Sequence, residues 1–286
     1  MKINAYAKIN LGLDVLARRP DGYHEVRMIM QTIGVCDVLD ITKTGTPGIT
    51  ITSNRDDLPV NEDNLIHKAA TLIMGEYDIE GGISVDLTKN IPMAAGLAGG
   101  STDAAAVLKA VNELYGLGLT AEELMRLGVR IGADVPYCIM GGTALACGIG
   151  EILTPLKACP HCKLVLAKPV TGVSTAKVYK SLKLDCVKHP DIDAILRGIE
   201  NGSIREVADN LGNVLETVTV PENPVIEDIK NLMLENGSIG SLMSGSGPTV
   251  FGLFTSDDDA KEAFDAVKRS GYAPELFITE IYDPNR

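Results

Sequence analysis

Pro92-Met93-Ala94-Ala95-Gly96-Leu97-Ala98-Gly99-Gly100-Ser101-Thr102-Asp103 is the stretch from which the fold is read. It follows a strand-like run at about 83–88 and opens a well-signalled helix. Ala104, Val107, Leu108, Val111 and Leu114 repeat there at helical spacing, and Gly116 and Gly118 end it. Small residues let a backbone approach a ligand closely, and the N–H groups of a helix start attract anions. The spacing is not Walker A, since no Gly-Lys-Ser/Thr closes it. Nor is it the Gly-x-Gly-x-x-Gly that follows the first strand of a dinucleotide fold. Two readings stand at this point: an anion-binding loop, or a tight strand-to-helix turn under an alanine-faced helix.

Upstream, every odd position from Ile3 to Val15 is apolar (Ile3, Ala5, Ala7, Ile9, Leu11, Leu13, Val15), and the even ones include Asn4, Lys8, Asn10 and Asp14. That period of two predicts a strand with one buried and one polar face. Further strands are expected at about 26–33, 37–42 and 48–53, and a helix near 63–76. Strands come first and helices late, so the chain reads as α+β and not as alternating β-α-β.

Downstream, Thr120 and Glu123 form a capping box for a helix running to about Val129. A strand at 143–147 leads to Gly148-Ile149-Gly150. The stretch 154–162, with two prolines and two cysteines, is the expected boundary between domains 1–155 and 156–286. Beyond it come a strand at 164–168, helices near 174–182, 190–199, 203–217 and 224–235, and strands at 239–243 and 249–254. A helix at about 257–269 and a strand near 275–281 follow.

The 286 residues carry a formal net charge of −12, which argues against nucleic acid or an anionic membrane as a partner. Any anionic ligand must then be met by local lysines and arginines. No apolar run is long enough to span a bilayer, and no basic-then-apolar leader opens the chain. The six cysteines are scattered and make no dense disulfide framework, so a reducing cytoplasm is expected.

Two more glycine-rich turns, Gly132-Ala133-Asp134-Val135-Pro136 and Ser244-Gly245-Ser246-Gly247-Pro248-Thr249, join the first loop. With Ala7-Lys8-Ile9-Asn10-Leu11 they resemble the GHMP kinase superfamily. The likeness to one branch is closer, through Arg18-Arg19-Pro20-Asp21-Gly22-Tyr23-His24-Glu25, Glu62-Asp63-Asn64-Leu65 and Gly148-Ile149-Gly150-Glu151-Ile152-Leu153, and it spans nearly the whole chain. It implies a two-domain α+β kinase fold with the active site in the cleft between domains. It also implies transfer of phosphate from ATP, with Mg²⁺, to the 2-hydroxyl of a methylerythritol unit carrying a cytidine diphosphate group, in the non-mevalonate isoprenoid route.

The same resemblance implies roles for individual residues. Asp134 is the implied catalytic base and Lys8 its partner; an ammonium near the accepting hydroxyl favours alkoxide character and offsets phosphoryl charge. Each also has a plain reading, Lys8 as a solvated strand charge and Asp134 as a helix cap. Lys8 and Asn10 share a strand face, about 7 Å apart along it, and Asn10 is a candidate substrate contact. Pro92, Met93, Ala94, Ala95, Gly96, Leu97, Ala98, Gly99, Gly100, Ser101 and Thr102 are the implied ATP site, with the hydroxyls of Ser101 and Thr102 near phosphate or Mg²⁺. No protein side chain is assigned as a metal ligand.

Tyr23 and His24 are the implied cytidine site, a ring face and a hydrogen-bonding edge, and Tyr179 is a second stacking ring or simple helix packing. Asn64 is open between an adenine contact and a structural hydrogen bond. The chain departs from the family pattern at Tyr6, where proline often stands, and at Ala94, Ala95 and Ala98, where glycine often does. Alanine is expected to serve there provided the backbone keeps a negative φ.

Cys159-Pro160-His161-Cys162 could, with Cys186 and His189, make a zinc site, although ordinary thiols are the simpler reading. The rival functions are a GHMP kinase of homoserine or mevalonate type, a nucleotide-binding regulator without catalysis, and a zinc-binding interaction module.

Overall fold

A computed structural model describes residues 1–283. The chain forms two compact units, and neither is continuous in sequence. One comprises Met1–Ala7, Val35–Met93 and Ala98–Gly141; the other comprises Lys8–Gly34, Ala94–Leu97 and the chain from Gly142 onward. The long strands β1 (Lys2–Arg18) and β2 (His24–Thr44) each contribute to both. The division expected from composition is sequential instead, because a strand that crosses between units leaves no break in its alternating pattern.

In the first unit, β3 (Gly48–Ser53), α1 (Leu65–Glu76), β4 (Gly82–Thr88), α2 (Gly99–Tyr115), α3 (Ala121–Val129) and α4 (Val135–Met140) follow in order. The later half of β2 pairs antiparallel with β4, Val38 opposite Thr88, and β4 pairs parallel with β3. The helices cover this sheet with a core that includes Leu39, Ile41, Val85, Ile73, Val107, Leu108 and Val111. The capping box of α3 forms as expected, Thr120 bonding Glu123 in both directions. Gly116 ends α2 at a φ of 66°.

The second unit adds β5 (Thr143–Cys147), β6 (Ile152–Pro155), β7 (Lys163–Lys168), α5 (Thr175–Ser181), α6 (Ile192–Glu200), α7 (Ile204–Asp209), β8 (Gly212–Asn213), α8 (Glu216–Glu222), α9 (Val225–Glu235), β9 (Gly240–Met243), β10 (Val250–Phe254), α10 (Asp257–Ser270) and β11 (Glu275–Glu280). The early half of β2 pairs with β5, and β5 with β6. A four-stranded antiparallel sheet runs in the order β11-β7-β10-β9.

Two expectations are corrected. The helix expected over 203–217 is α7, β8 and α8, because Gly212-Asn213 leaves the helix to pair in parallel with Gly12-Leu13 of β1. The strands expected at 26–33 and 37–42 are one strand, β2.

Candidate active site

From Lys8 to Asp14 the polar face of β1 is not solvated. Lys8 is 4% exposed and Asn10 fully buried, and the Lys8 ammonium donates to Oδ1 of Asn10 at 2.8 Å. Asn10 Nδ2 points at the Met28 sulfur, 3.3 Å away. A buried ammonium is held only where groups are arranged to receive it, so the plain reading of Lys8 as a solvated strand charge fails. Its backbone N–H also donates to Leu97 O at 3.1 Å, fastening β1 to the glycine-rich loop.

The middle of that loop, Ala94–Leu97, belongs to the second unit and interlocks with the Ser244–Thr249 turn. The Ser244 hydroxyl donates to Gly96 O at 2.9 Å. Gly96 has a φ of 75°, and a Cβ there would overlap the Ser244 carbonyl oxygen. The condition set on the alanines fails at two of the three positions. Ala94 has a φ of 48° and Ala98 of 57°. Left-handed backbone crowds a Cβ against its own carbonyl, so both carry strain that glycine would not.

Ala98 is the N-cap of α2 yet makes no side-chain cap, and the first turn holds no acidic residue. The first bond of the helix is Thr102 N–H to Ala98 O, at 2.9 Å. The amides of Gly99, Gly100 and Ser101 therefore precede the intrahelical ladder, which is the arrangement that receives a phosphate. Thr102 is buried and Ser101 half-buried.

Asp134, in the first unit, stands at the N-cap of α4, with Pro136 in the first turn. Its carboxylate makes no capping bond to that helix, so its plain reading as a cap fails too.

The Arg18–Glu25 motif is a turn built around its own ions. Arg19 pairs with Asp21 at 3.1 Å and Glu25 at 3.0 Å, and Asp21 accepts the Tyr23 N–H at 3.0 Å. This leaves the Tyr23 side outward, 58% exposed. His24 faces inward: its ring lies 5.3 Å from that of Tyr179, tilted by 44°. Arg18, at the start of the motif, donates to the carbonyls of Lys180 and Leu182 at the end of α5. His24 Nε2 is buried with no hydrogen-bond partner among the described residues. Burial first, and the Arg18 charge second, lower the His24 pKa, which favours the neutral ring.

Several side chains resolve differently from the sequence reading. Asn64 caps α1, accepting from Ile66 N at 2.9 Å and donating to Pro59 O at 2.7 Å, so the structural reading holds. His189 meets Asp14 at 2.7 Å. Cys159 and Cys162 are buried thiols whose pKa burial raises, Cys162 to about 12. Among the described residues no group of three His, Cys, Asp or Glu is placed to hold a metal. One cluster had no forecast. Lys89 pairs with both Asp37 and Asp103, the latter at 2.6 Å, and all three are buried. Its members stand 52 and 14 residues apart, so no local spacing announces it.

Known proteins resemble this chain. The GHMP kinases N terminal domain family matches residues 64–142, and the GHMP kinases C terminal family matches 194–273. A 4-diphosphocytidyl-2-C-methyl-D-erythritol kinase of Lachnospira eligens is 50% identical over 285 residues, 99% of each chain. The chain belongs to this kinase family. A crystal structure of 4-(cytidine 5'-diphospho)-2C-methyl-D-erythritol kinase is similar at 33% identity and a TM-score of 0.84, covering 99% of this chain and 100% of that one. A homoserine kinase from Cytophaga hutchinsonii, at 21% identity and a TM-score of 0.78 over 99% and 94% of the two chains, shares the fold. The two-domain α+β kinase fold expected from sequence is thus the one found. Among the described residues no helix is long and apolar enough to cross a membrane.

Proposed function

We propose that the protein transfers the γ-phosphoryl group of ATP to the 2-hydroxyl of 4-diphosphocytidyl-2-C-methyl-D-erythritol, in the non-mevalonate route to isoprenoid precursors. Family membership supports the kinase class. The observation that carries the choice of acceptor is the buried, partnerless Nε2 of His24 against the Tyr179 ring. A neutral imidazole there can bond the edge of a pyrimidine, while the outward ring of Tyr23 offers a face on which the base stacks.

In this reading Asp134 takes the proton of the 2-hydroxyl as that oxygen attacks the γ-phosphorus. The new O–P bond forms as the bond to the bridging oxygen of ADP breaks. Lys8, held by Asn10, supplies positive charge near the developing alkoxide and is the electrostatic partner of Asp134. The loop Pro92–Thr102 receives the ATP phosphates on the amides that open α2, an environment suited to anions. Mg²⁺ would be held chiefly by phosphate oxygens, with the Ser101 and Thr102 hydroxyls nearby.

The division 1–155 and 156–286 is our proposal for the two family domains, and the matched stretches fall one on each side of it. A reducing cytoplasm suits the described cysteines, none of which forms a disulfide.

Alanine at Tyr23 or His24 tests the acceptor assignment. The KM for the cytidine substrate should rise about tenfold or more, with the KM for ATP within about twofold. Equal rises in both would remove the pair from the cytidine site.

A further inference from the structure

Both ends of the glycine-rich loop are fastened by one buried cluster that the proposed reaction does not use. Before the loop begins at Pro92, the chain runs out of β4 through Lys89, Asn90 and Ile91. The backbone N–H groups of Asn90 and Ile91 donate to Oδ1 of Asp37, at 2.6 and 2.8 Å. Oδ2 of the same carboxylate pairs with the Lys89 ammonium. After the loop, Asp103 on the second turn of α2 receives the same ammonium on its Oδ2 at 2.6 Å. Lys89 is 7% exposed, Asp37 fully buried and Asp103 3% exposed.

The helix start is shaped to admit the ammonium. A Cβ on Gly99, the first residue of α2, would lie 3.0 Å from Lys89 Nζ. Positive charge at the N-terminal end of a helix is electrostatically unfavourable, and the Asp37 carboxylate, with Asp103 Oδ2 accepting from the same ammonium, offsets it. Buried ion clusters are poor sources of stability compared with apolar packing of the same volume, and their best-attested use is to hold one arrangement over others. The arrangement held here is the separation between the loop's entry and its exit.

We propose that Lys89 is a positioning residue for the nucleotide, tying the strand end through Asp37 and the helix through Asp103 so that the intervening amides keep the spacing a triphosphate requires. This rests on the reading that the loop receives the ATP phosphates. Fixing both ends before binding lowers the ordering cost that would otherwise be taken from affinity. The effect therefore falls on ATP and not on the alcohol. Asp103 Oδ1 is buried without a partner among the described residues, so the carboxyl group meets Lys89 through its other oxygen.

The test uses the full-length protein with Lys89→Met, Asp103→Ala and Asp103→Asn. Steady-state kinetics in each substrate run beside direct titration with ATP, so the clamp is tested whether or not the alcohol is phosphorylated. Thermal unfolding checks that each variant is folded. Lys89→Met and Asp103→Ala should raise the KM and Kd for ATP about tenfold or more, with the KM for the alcohol within about twofold. Asp103→Asn, which still accepts from Lys89, should keep ATP binding within about threefold of wild type. Lys89→Met leaves two buried carboxyl groups with no cation between them, so if it does not fold, Asp103→Ala decides, because there Lys89 keeps Asp37. The proposal is overturned if folded Asp103→Ala binds ATP as wild type does. It is equally overturned if both KM values rise together, or if Asp103→Ala also fails to fold, since the cluster then serves the fold and not the loop. A wild-type protein that binds ATP but phosphorylates no alcohol would instead count against the proposed reaction.

Discussion

Ser244 and Gly96 interlock: the serine hydroxyl donates to the glycine carbonyl at 2.9 Å, and the serine's own carbonyl fills the space a Gly96 side chain would need. Gly96 also has a φ of 75°, so a side chain there meets both a collision and a strained backbone. Gly96→Ala should destabilise by about 2 kcal/mol or more and weaken ATP binding. Urea unfolding and ATP titration check this. Wild-type values in both would mean that the loop tolerates a different path.

Ala94 and Ala98 invite the opposite change. Both sit at positive φ, where glycine is unstrained. Left-handed strain of about 1–2 kcal/mol is partly offset by the greater unfolded-state freedom of glycine, leaving a net gain of about 0.5–1 kcal/mol for each substitution. A rise in the urea midpoint for Ala94→Gly and Ala98→Gly is the expected result, and a fall would show that the strain is relieved by some local contact.

Asp134→Asn should lower kcat by about a hundredfold or more, the range expected for loss of a general base, with ATP binding within about threefold. Lys8→Met should lower kcat as well, and because the Lys8 ammonium bonds Asn10 it should also disturb the alcohol site. Unchanged turnover in Asp134→Asn would remove that residue from the mechanism.

Asp103 gives a pH signature. Burial, together with the neighbouring Asp37 charge and against the pull of Lys89, pushes its carboxyl from the usual 3.8 up to about 8. Unfolded, the group loses its proton near 3.8; folded, it keeps it until about 8. Between these values the folded chain holds the extra proton, so this contribution to stability is complete below the lower value and is lost as pH rises through the upper one. The stability of wild type relative to Asp103→Asn, which cannot lose that proton, should therefore fall between about pH 4 and about pH 8. A difference that does not change with pH would contradict the shift.

Much of this was legible in the chain, and the residues show why some was not. The alternation from Ile3 to Val15 identified β1, but a period of two reports which face a side chain takes and not whether that face is wet; Lys8, Asn10 and Asp14 are all buried. The glycine-rich loop announced itself by composition, whereas the positive φ of Ala94 and Ala98 is imposed by the backbone path and has no signature in alanine. Asp14 and His189 meet at 2.7 Å although 175 residues apart, a pairing no spacing foretells. Gly212-Asn213 looked helical because its neighbours are, and only pairing with β1 reveals otherwise. The Tyr23-His24 motif was visible in sequence; that His24, and not Tyr23, packs on Tyr179 was not.

The central claim is tested most directly by incubating purified protein with ATP and, in separate reactions, 4-diphosphocytidyl-2-C-methyl-D-erythritol, homoserine and mevalonate, and measuring phosphate transfer to each. The account predicts transfer to the cytidine compound with kcat/KM at least about a hundredfold above either other alcohol. Equal or greater transfer to homoserine or mevalonate, or none to the cytidine compound, would contradict it.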